Sequence, residues 1–337
     1  MTKKKLVFQI LFLLLLIVGT VLIVKQNASL PYVKNQGRVF GTYYHATYQA
    51  ERDMQQLIEE ELRKVDSEFS MFNDTSTVSH INRNEETALS EMFLEVFGLA
   101  ERINSETSGA FDVTVAPLVN AWGFGFKSSE FPSDEVVDSL RLFVGQQGVK
   151  VAKKGAKSVL TKADSRTMLD FSAVAKGYGC DVVARMFRSR GVKNFLIEIG
   201  GEIVASGVNP DRKQWSVGVN KPVEDIAQNI NELDTVLTIT DCAMATSGNY
   251  RNFYERDGKK YAHTIDPHTG RPVSHSLLSA TVIAPSCAVA DAYATAFMVM
   301  GEERARQLLE KHRELRALFI CAGDDGAHRI WQNISRK

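Results

Sequence analysis

No charge of either sign prevails in this chain: 40 lysines and arginines face 40 aspartates and glutamates across 337 residues. That balance excludes a nucleic-acid binder that works by neutralising phosphates, which needs a basic excess. Cysteine is scarce. Cys180, Cys242, Cys287 and Cys321 form no Cys-x-x-Cys pair and have no histidine at zinc spacing, which excludes a zinc ribbon. A chain this long builds a core without a disulfide framework, so the four read as small buried apolar residues, with pairing open to an exported protein. Internal repeats and low-complexity tracts are missing. No Gly-x4-Gly-Lys-[Ser/Thr] run occurs, so a Walker-type nucleotide site is excluded. At 44% hydrophobic and 24% charged, disorder over most of the chain is excluded too.

A second long apolar run is also missing, so the chain is not a polytopic membrane protein. The single run lies at the N-terminus. Lys3, Lys4 and Lys5 precede residues 6–24, which are broken only by Gln9, Gly19 and Thr20. As a helix this run spans about 28 Å, close to a bilayer's hydrocarbon core. The basic flank predicts a cytoplasmic N-terminus with everything after Lys25 translocated. Residues 1–25 therefore read as a signal anchor, 26–37 as a tether and 38–337 as one folded domain on the periplasmic, extracytoplasmic side of the membrane. A cleaved signal peptide is the rival, but Gln26-Asn27-Ala28 fits a small-x-small cleavage site poorly. No cysteine follows the run closely enough to accept a lipid.

Beyond residue 37 the pattern predicts a strand over 38–48. Met54, Leu57, Ile58, Leu62, Val65 and Phe69 recur at helical spacing. A second helix begins after Ser90 with Phe93, Phe97, Ala100 and Ile103 on one face, and a third runs from Pro132-Ser133 to Gly145. A helix over 173–190 stops at Gly191, and another over 288–300 is ended by Gly301 and followed by a last helix. Strands are predicted at 149–152, 158–161, 195–199, 215–219, 236–239, 261–265, 278–283 and 315–321. Helices and strands alternate loosely, which predicts an α/β or α+β domain on a mixed sheet.

Four segments carry chemistry beyond scaffold needs. In Gly109-Ala-Phe-Asp-Val-Thr-Val-Ala-Pro, small residues beside Asp112 let a ligand approach backbone amides, though a helix exit and turn are the plainer explanation of the segment alone. In Leu169-Asp-Phe-Ser-Ala-Val-Ala-Lys-Gly-Tyr-Gly, a helix start offers amides to an anion, with Lys176 one turn on; Asp170 or Ser172 serving only as a cap is the plain alternative. In Tyr261-Ala-His-Thr-Ile-Asp-Pro-His-Thr-Gly, His263 sits in a strand and Asp266 makes an Asx-type turn. In Ala290-Asp-Ala-Tyr-Ala-Thr, Asp291 and Thr295 share one helix face at i, i+4, a carboxylate and a hydroxyl that suit a hard cation. The bland alternative leaves Asp291 solvated and Thr295 bonded to its own helix.

Taken in order with the Gly41-Thr42 strand, Ser70-Met-Phe, Ser79-His-Ile-Asn, Ile197-Glu-Ile-Gly-Gly-Glu and Ala245-Thr-Ser-Gly-Asn-Tyr, these segments resemble the ApbE family, the FAD:protein FMN transferases. The resemblance covers about residues 38–325 and implies a single α/β domain. It implies transfer of FMN from FAD, through a phosphoester, onto a threonine of an exported or membrane-bound redox protein, with release of AMP. It implies Mg²⁺ held by Asp291, Thr295 and the carbonyl of Ala173. It implies an FAD site at Phe40, Phe72, Ala110, Phe111, Asp112, Asp170, Lys176 and Ile265, with residues 110–112 acting through backbone, and His263 as the base. Phe40 stands where the family usually has methionine, and Phe72 where it often has tyrosine. Two other readings use the same residues: an Mg²⁺-dependent FAD pyrophosphatase and a non-catalytic flavin-binding protein.

Overall fold

The computed structural model describes residues 3–27, 30–125, 131–220, 233–249, 253–256, 259–323 and 327–334. Eight strands form the central sheet: β1 (Tyr32–Val39), β2 (Thr42–Gln49), β3 (Phe195–Ile199), β4 (Glu202–Ser206), β5 (Cys242–Gly248), β6 (Leu277–Ala284), β7 (Arg316–Ala322) and β8 (His328–Gln332). They lie side by side in chain order, each antiparallel to its neighbour. The mixed sheet expected from sequence is thereby corrected. The helices that suggested crossovers sit in long excursions between strands that are already neighbours, and such strands pair antiparallel.

The helices are α1 (Lys3–Asn27), α2 (Gln55–Phe69), α3 (Thr77–Asn82), α4 (Glu91–Glu106), α5 (Ala116–Ala121), α6 (Asp134–Arg141), α7 (Ser172–Ser189) and α8 (Cys287–Lys311). Six of them, α2 to α7, fall between β2 and β3. Strand alternation divides the sheet's neighbours. Val204 of β4 and Ala243 of β5 pack with Cys180, Val183 and Phe187 of α7. Their chain neighbours Ile203, Ala205 and Met244 pack with Trp215, Val217, Leu237 and Ile239 of a hairpin, Trp215–Asn220 with Leu233–Ile239, that covers the opposite face. Alanines at 288, 290, 292, 294 and 296 are buried on α8 and let that helix lie close to β5 and β6.

Several local expectations hold for the reasons given. The α2 stripe is buried at Ile58, Leu62, Val65 and Phe69. Ser90 caps α4, its hydroxyl accepting the Phe93 N–H at 3.0 Å. Others are corrected. The strand expected over 38–48 is a hairpin, β1 and β2, turning at Phe40 (φ 49) and Gly41 (φ 74). A phenylalanine at positive φ is uncommon, so the turn carried no Asn-Gly signal. The helix after Ser133 ends at Arg141 rather than near Gly145. The strand expected over 261–265 is interrupted between Lys259–Ala262 and Ile265–Asp266, so His263 lies in the bend between them.

Within α1 the described side chains are Lys5 and residues 9–20, and the apolar residues 10–18 are all exposed. Among the described residues, no helix is long and apolar enough to cross a membrane.

Helix α8 breaks at Gly301 (φ 75, ψ 169), where the sequence placed one helix end and the next start. His275 braces the break: Nε2–H donates to the Met298 carbonyl at 2.8 Å, and Nδ1 accepts the Leu277 N–H at 3.3 Å. A carbonyl only accepts and an N–H only donates, which fixes the neutral tautomer. Burial pushes the His275 imidazole below the ordinary histidine range. Its neutral form is therefore favoured in the folded chain, and its contribution to stability is complete above the unfolded value of about 6.5 and declines as pH falls below it. Thermal melts from pH 7.5 to 5.5 should show a falling midpoint, and the fall should be shallower in His275→Gln.

Candidate active site

The start of α7 is held in place from both sides. The Leu169 N–H donates to Asn82 Oδ1 at 2.7 Å, and Asn82 Nδ2 donates to the Leu169 carbonyl at 2.9 Å. The next N–H, that of Asp170, donates to the Val113 carbonyl at 2.7 Å. Phe171 then enters the aromatic core, its ring 5.2 Å from that of Phe69 and 5.5 Å from that of Phe93. Asp170 Oδ1 accepts the Ser172 N–H at 2.7 Å in an Asx-type turn just ahead of the helix, but the cap residue is Phe171, which makes no side-chain bond, so neither Asp170 nor Ser172 is the N-cap the sequence offered. Burial pushes the Asp170 carboxyl above the usual range.

Just over one turn into α7, Gly177 allows a close approach to α8. A Cβ there would sit 2.4 Å from the Cys287 carbonyl oxygen and 2.9 Å from the Ala288 nitrogen. Asp181, a turn further on, receives three bonds from the start of α8: Ser286 Oγ at 2.7 Å and the N–H groups of Cys287 and Ala288 at 2.9 Å each. A carboxylate at a helix N-terminus is favoured by the exposed amides and the dipole there. This clamp sets the register of α8 against α7, and so places Asp291. Gly177→Ala should cost about 1–3 kcal/mol by overpacking. A lower melting midpoint would report displacement of the α7–α8 junction, and an unchanged midpoint would contradict the close packing at Gly177.

Asp291 is 2% exposed, which removes the reading that left it solvated. Its Oδ2 accepts the Gly177 N–H at 3.0 Å. In an α-helix that N–H faces the carbonyl of Ala173, so the carboxylate lies beside that carbonyl. Thr295 follows one turn along α8, its hydroxyl 3.2 Å from Ser247 Oγ on β5. Lys176 Nζ lies 2.8 Å from Glu202 Oε1 and 3.9 Å from Asp291 Oδ2. Burial pushes the Asp291 carboxyl up against the pull of Lys176, and pushes Glu202 up to about 8. Burial alone would lower the Lys176 ammonium, but Asp291 and Glu202 outweigh it and hold it above the usual lysine range.

Among the described residues, no group of three or more His, Cys, Asp or Glu side chains gathers as a metal cluster. The donor chemistry at Asp291 nevertheless fits a hard cation: a buried carboxylate, a hydroxyl on the same helix face and a neighbouring backbone carbonyl. A small octahedral ion that keeps water and phosphate oxygens needs no more from the protein.

The loop at 110–112 meets this region through Val113. Ala110 and Phe111 are buried, and the Asp112 carboxylate is consumed locally. It accepts the Thr114 N–H at 2.7 Å, the Thr114 hydroxyl at 2.5 Å, the Gln146 N–H at 3.0 Å and Asn104 Nδ2 at 3.3 Å. Only backbone is left to serve a ligand from Asp112. A cavity of about 780 Å³ opens beside the loop, lined in part by Gly109, Asp112, Arg141 and His268. The Asx turn expected at Asp266 is present, its Oδ1 accepting the His268 N–H at 2.9 Å. Ile265 is buried beside Leu118, Trp122 and Val137. His263 is half-buried, with its ring 6.3 Å from that of Phe124. Phe40 lies over Gly179 of α7, where a Cβ would come within 2.8 Å of its ring. Phe72 stands 79% exposed in the turn between α2 and α3.

The structure thus brings Ala173, Lys176, Asp291 and Thr295 together, and ties Asp170 to the 110–113 loop. Phe40 and Phe72 come from separate turns, and His263 from a separate bend. Three residues join the site that sequence reasoning passed over: Asn82, Asp181 and Glu202. Asp181 and Glu202 were visible only as polar residues among mostly apolar neighbours, and Asn82 as one polar residue in the polar run Ser79-His-Ile-Asn-Arg-Asn. The cysteines are all unpaired; Cys180, Cys287 and Cys321 are buried as the sequence suggested, whereas Cys242 is only half-buried.

An antiparallel-sheet α/β domain with a lysine–carboxylate cluster at a helix start and a hard-cation donor set on the adjoining helix suits an enzyme acting on a phosphate-bearing substrate. The chain belongs to the ApbE family, whose family model matches residues 40–319. It is 38% identical over 301 residues to the FAD:protein FMN transferase of Vibrio cholerae serotype O1, covering 86% of this chain and 87% of that one. It is 32% identical over 308 residues to the FAD:protein FMN transferase of Escherichia coli K12, covering 88% and 86%. Among solved structures it is similar to the flavin transferase ApbE from Vibrio cholerae (TM-score 0.80, 36% identity, 90% of this chain and 98% of that one). It is also similar to the apo form of Pseudomonas stutzeri flavinyl transferase ApbE (TM-score 0.80, 29% identity, 91% and 96%).

Proposed function

We propose that this chain is a flavin transferase that moves FMN from FAD onto a threonine hydroxyl of a partner protein, with Mg²⁺ as the metal. Matches to FAD:protein FMN transferases over more than four fifths of both chains carry the reading. The arrangement of buried Asp291 with half-buried Lys176 and Thr295 supports it.

The threonine oxygen attacks the FMN-side phosphorus, the new O–P bond forms, and the bond to the bridging oxygen breaks so that AMP leaves. His263 takes the threonine proton on an unprotonated ring nitrogen, since a neutral hydroxyl is a weak nucleophile. Lys176 and the amides at the start of α7 offset charge on the phosphoryl oxygens. Mg²⁺ held by Asp291, Thr295 and the Ala173 carbonyl would supply further charge neutralisation there. Residues 110–112 contact FAD through backbone, because the Asp112 side chain is already engaged. Phe40, Phe72, Asp170 and Ile265 complete the FAD site, with exposed Phe72 as an aromatic surface for a ring of FAD.

Incubating the full-length chain with FAD, Mg²⁺ and a candidate acceptor tests the reading. Fluorescent acceptor on a denaturing gel supports transfer. AMP with free FMN and no labelled acceptor indicates hydrolysis instead, and unchanged FAD indicates a binder.

The exposed apolar residues 10–18 of α1, behind Lys5, support membrane anchoring, with the enzyme on the extracytoplasmic face and its acceptor among exported or membrane-bound redox proteins. Fractionation should place the full-length chain in the membrane. A soluble form beginning after residue 25 would show a cleaved signal.

A further inference from the structure

Glu202 has no part in the mechanism above, yet it is one of the most deeply buried acidic side chains among the described residues. It is 3% exposed, and its Oε2 is buried without a hydrogen-bond partner. Burying a carboxylate with one oxygen unsatisfied is destabilising, and a buried ion pair is a poor way to gain stability. The residue therefore calls for an account beyond structure.

Its position is tightly fixed. Gly200 (φ 61) and Gly201 (φ 106) turn the chain between β3 and β4, and a Cβ on Gly200 would meet Thr42 Cγ2 at 2.9 Å. Glu202 is the first residue after that turn. Two residues of one α7 face then meet it. Lys176 Nζ donates to Oε1 at 2.8 Å, and Cys180 Sγ, one helical turn on, donates to the Glu202 carbonyl at 3.2 Å. The helix is docked on Glu202 through both side chain and backbone.

The distances decide which carboxylate holds the ammonium. At 2.8 Å Lys176 is hydrogen-bonded to Glu202, whereas 3.9 Å to Asp291 is beyond hydrogen-bond reach. Without Glu202, the same flexible side chain would have Asp291 as its nearest carboxylate. A lysine seated there would occupy the oxygens, and offset the charge, that a cation requires.

We infer that Glu202 is a positioning residue that holds the Lys176 ammonium off Asp291 and so keeps that carboxylate available to a divalent cation. The inference rests on the reading of Asp291 as a cation ligand. Glu202 does not itself ligate the ion, and it acts only through Lys176.

The test is Mn²⁺ binding to the full-length chain, read by electron paramagnetic resonance and needing no turnover. Asp291→Ala comes first. If it binds Mn²⁺ as tightly as the unmodified chain, the cation reading fails and this inference falls with it. If it loses Mn²⁺, Glu202→Gln is expected to weaken binding about tenfold, within the range of couplings between neighbouring charged groups. The double variant Glu202→Gln with Lys176→Gln is expected to recover most of that loss, because the misplaced ammonium is gone. Unchanged binding in Glu202→Gln overturns the inference. So does a double variant no tighter than the single one, which would make Glu202 a ligand or a direct source of charge. Should Glu202→Gln fail to fold, the double variant removes both members of the pair and decides alone: binding near that of the unmodified chain supports the inference, and lost binding overturns it.

Discussion

Asp291→Ala should abolish FMN transfer at ordinary Mg²⁺ concentrations, with a loss of more than about 10³-fold, because metal neutralisation of phosphoryl charge supplies several kcal/mol. Asp291 is the carboxylate of the donor set, and it is buried where solvent cannot replace it. Thr295→Val should cost much less, since water can take the place of a neutral hydroxyl ligand. Rates measured across a Mg²⁺ titration check both. Near-normal activity with unchanged Mg²⁺ dependence in Asp291→Ala would contradict the cation assignment.

The placement of several of these residues is legible in the sequence, and the reason is local. Asp291 and Thr295 depend only on helix periodicity, and α8 delivers them to one face as the spacing requires. Ser90, the α2 stripe and the Asp266 turn are equally local, and each formed as read. What failed depended on contacts distant in sequence. Nothing near Glu202 announces Lys176, 26 residues earlier in the chain. Asn82 meets Leu169 across 87 residues, and Asp181 meets Ala288 across 107. The same limit explains the sheet. Strand segments could be found individually, but the antiparallel order β1 to β8 arises from pairing across excursions as long as that from β2 to β3. Phe40-Gly41 was missed for a different reason, a turn made by a residue type that disfavours its own conformation.

His263→Ala carries the second large expected effect, a loss of about 10² to 10⁴ in transfer rate, the usual range for a general base. FAD affinity should change little, because Lys176, the α7 amides and the backbone of residues 110–112 lie on other elements. The unmodified enzyme's rate should fall on the acid side, as a protonated imidazole cannot accept the threonine proton. That acid limb should disappear from the residual rate of the variant. A histidine that merely packs against Phe124, at 6.3 Å between rings, would behave differently. Its loss would lower the melting midpoint and leave the acid limb in place. A near-normal rate in a folded variant would remove His263 from the mechanism.

Mass spectrometry of the acceptor after reaction with FAD and Mg²⁺ reads the identity of the nucleophile directly. The expected product is FMN joined through phosphate to one threonine oxygen, with one AMP released for each acceptor modified. AMP appearing with free FMN, and an acceptor of unchanged mass, would contradict it.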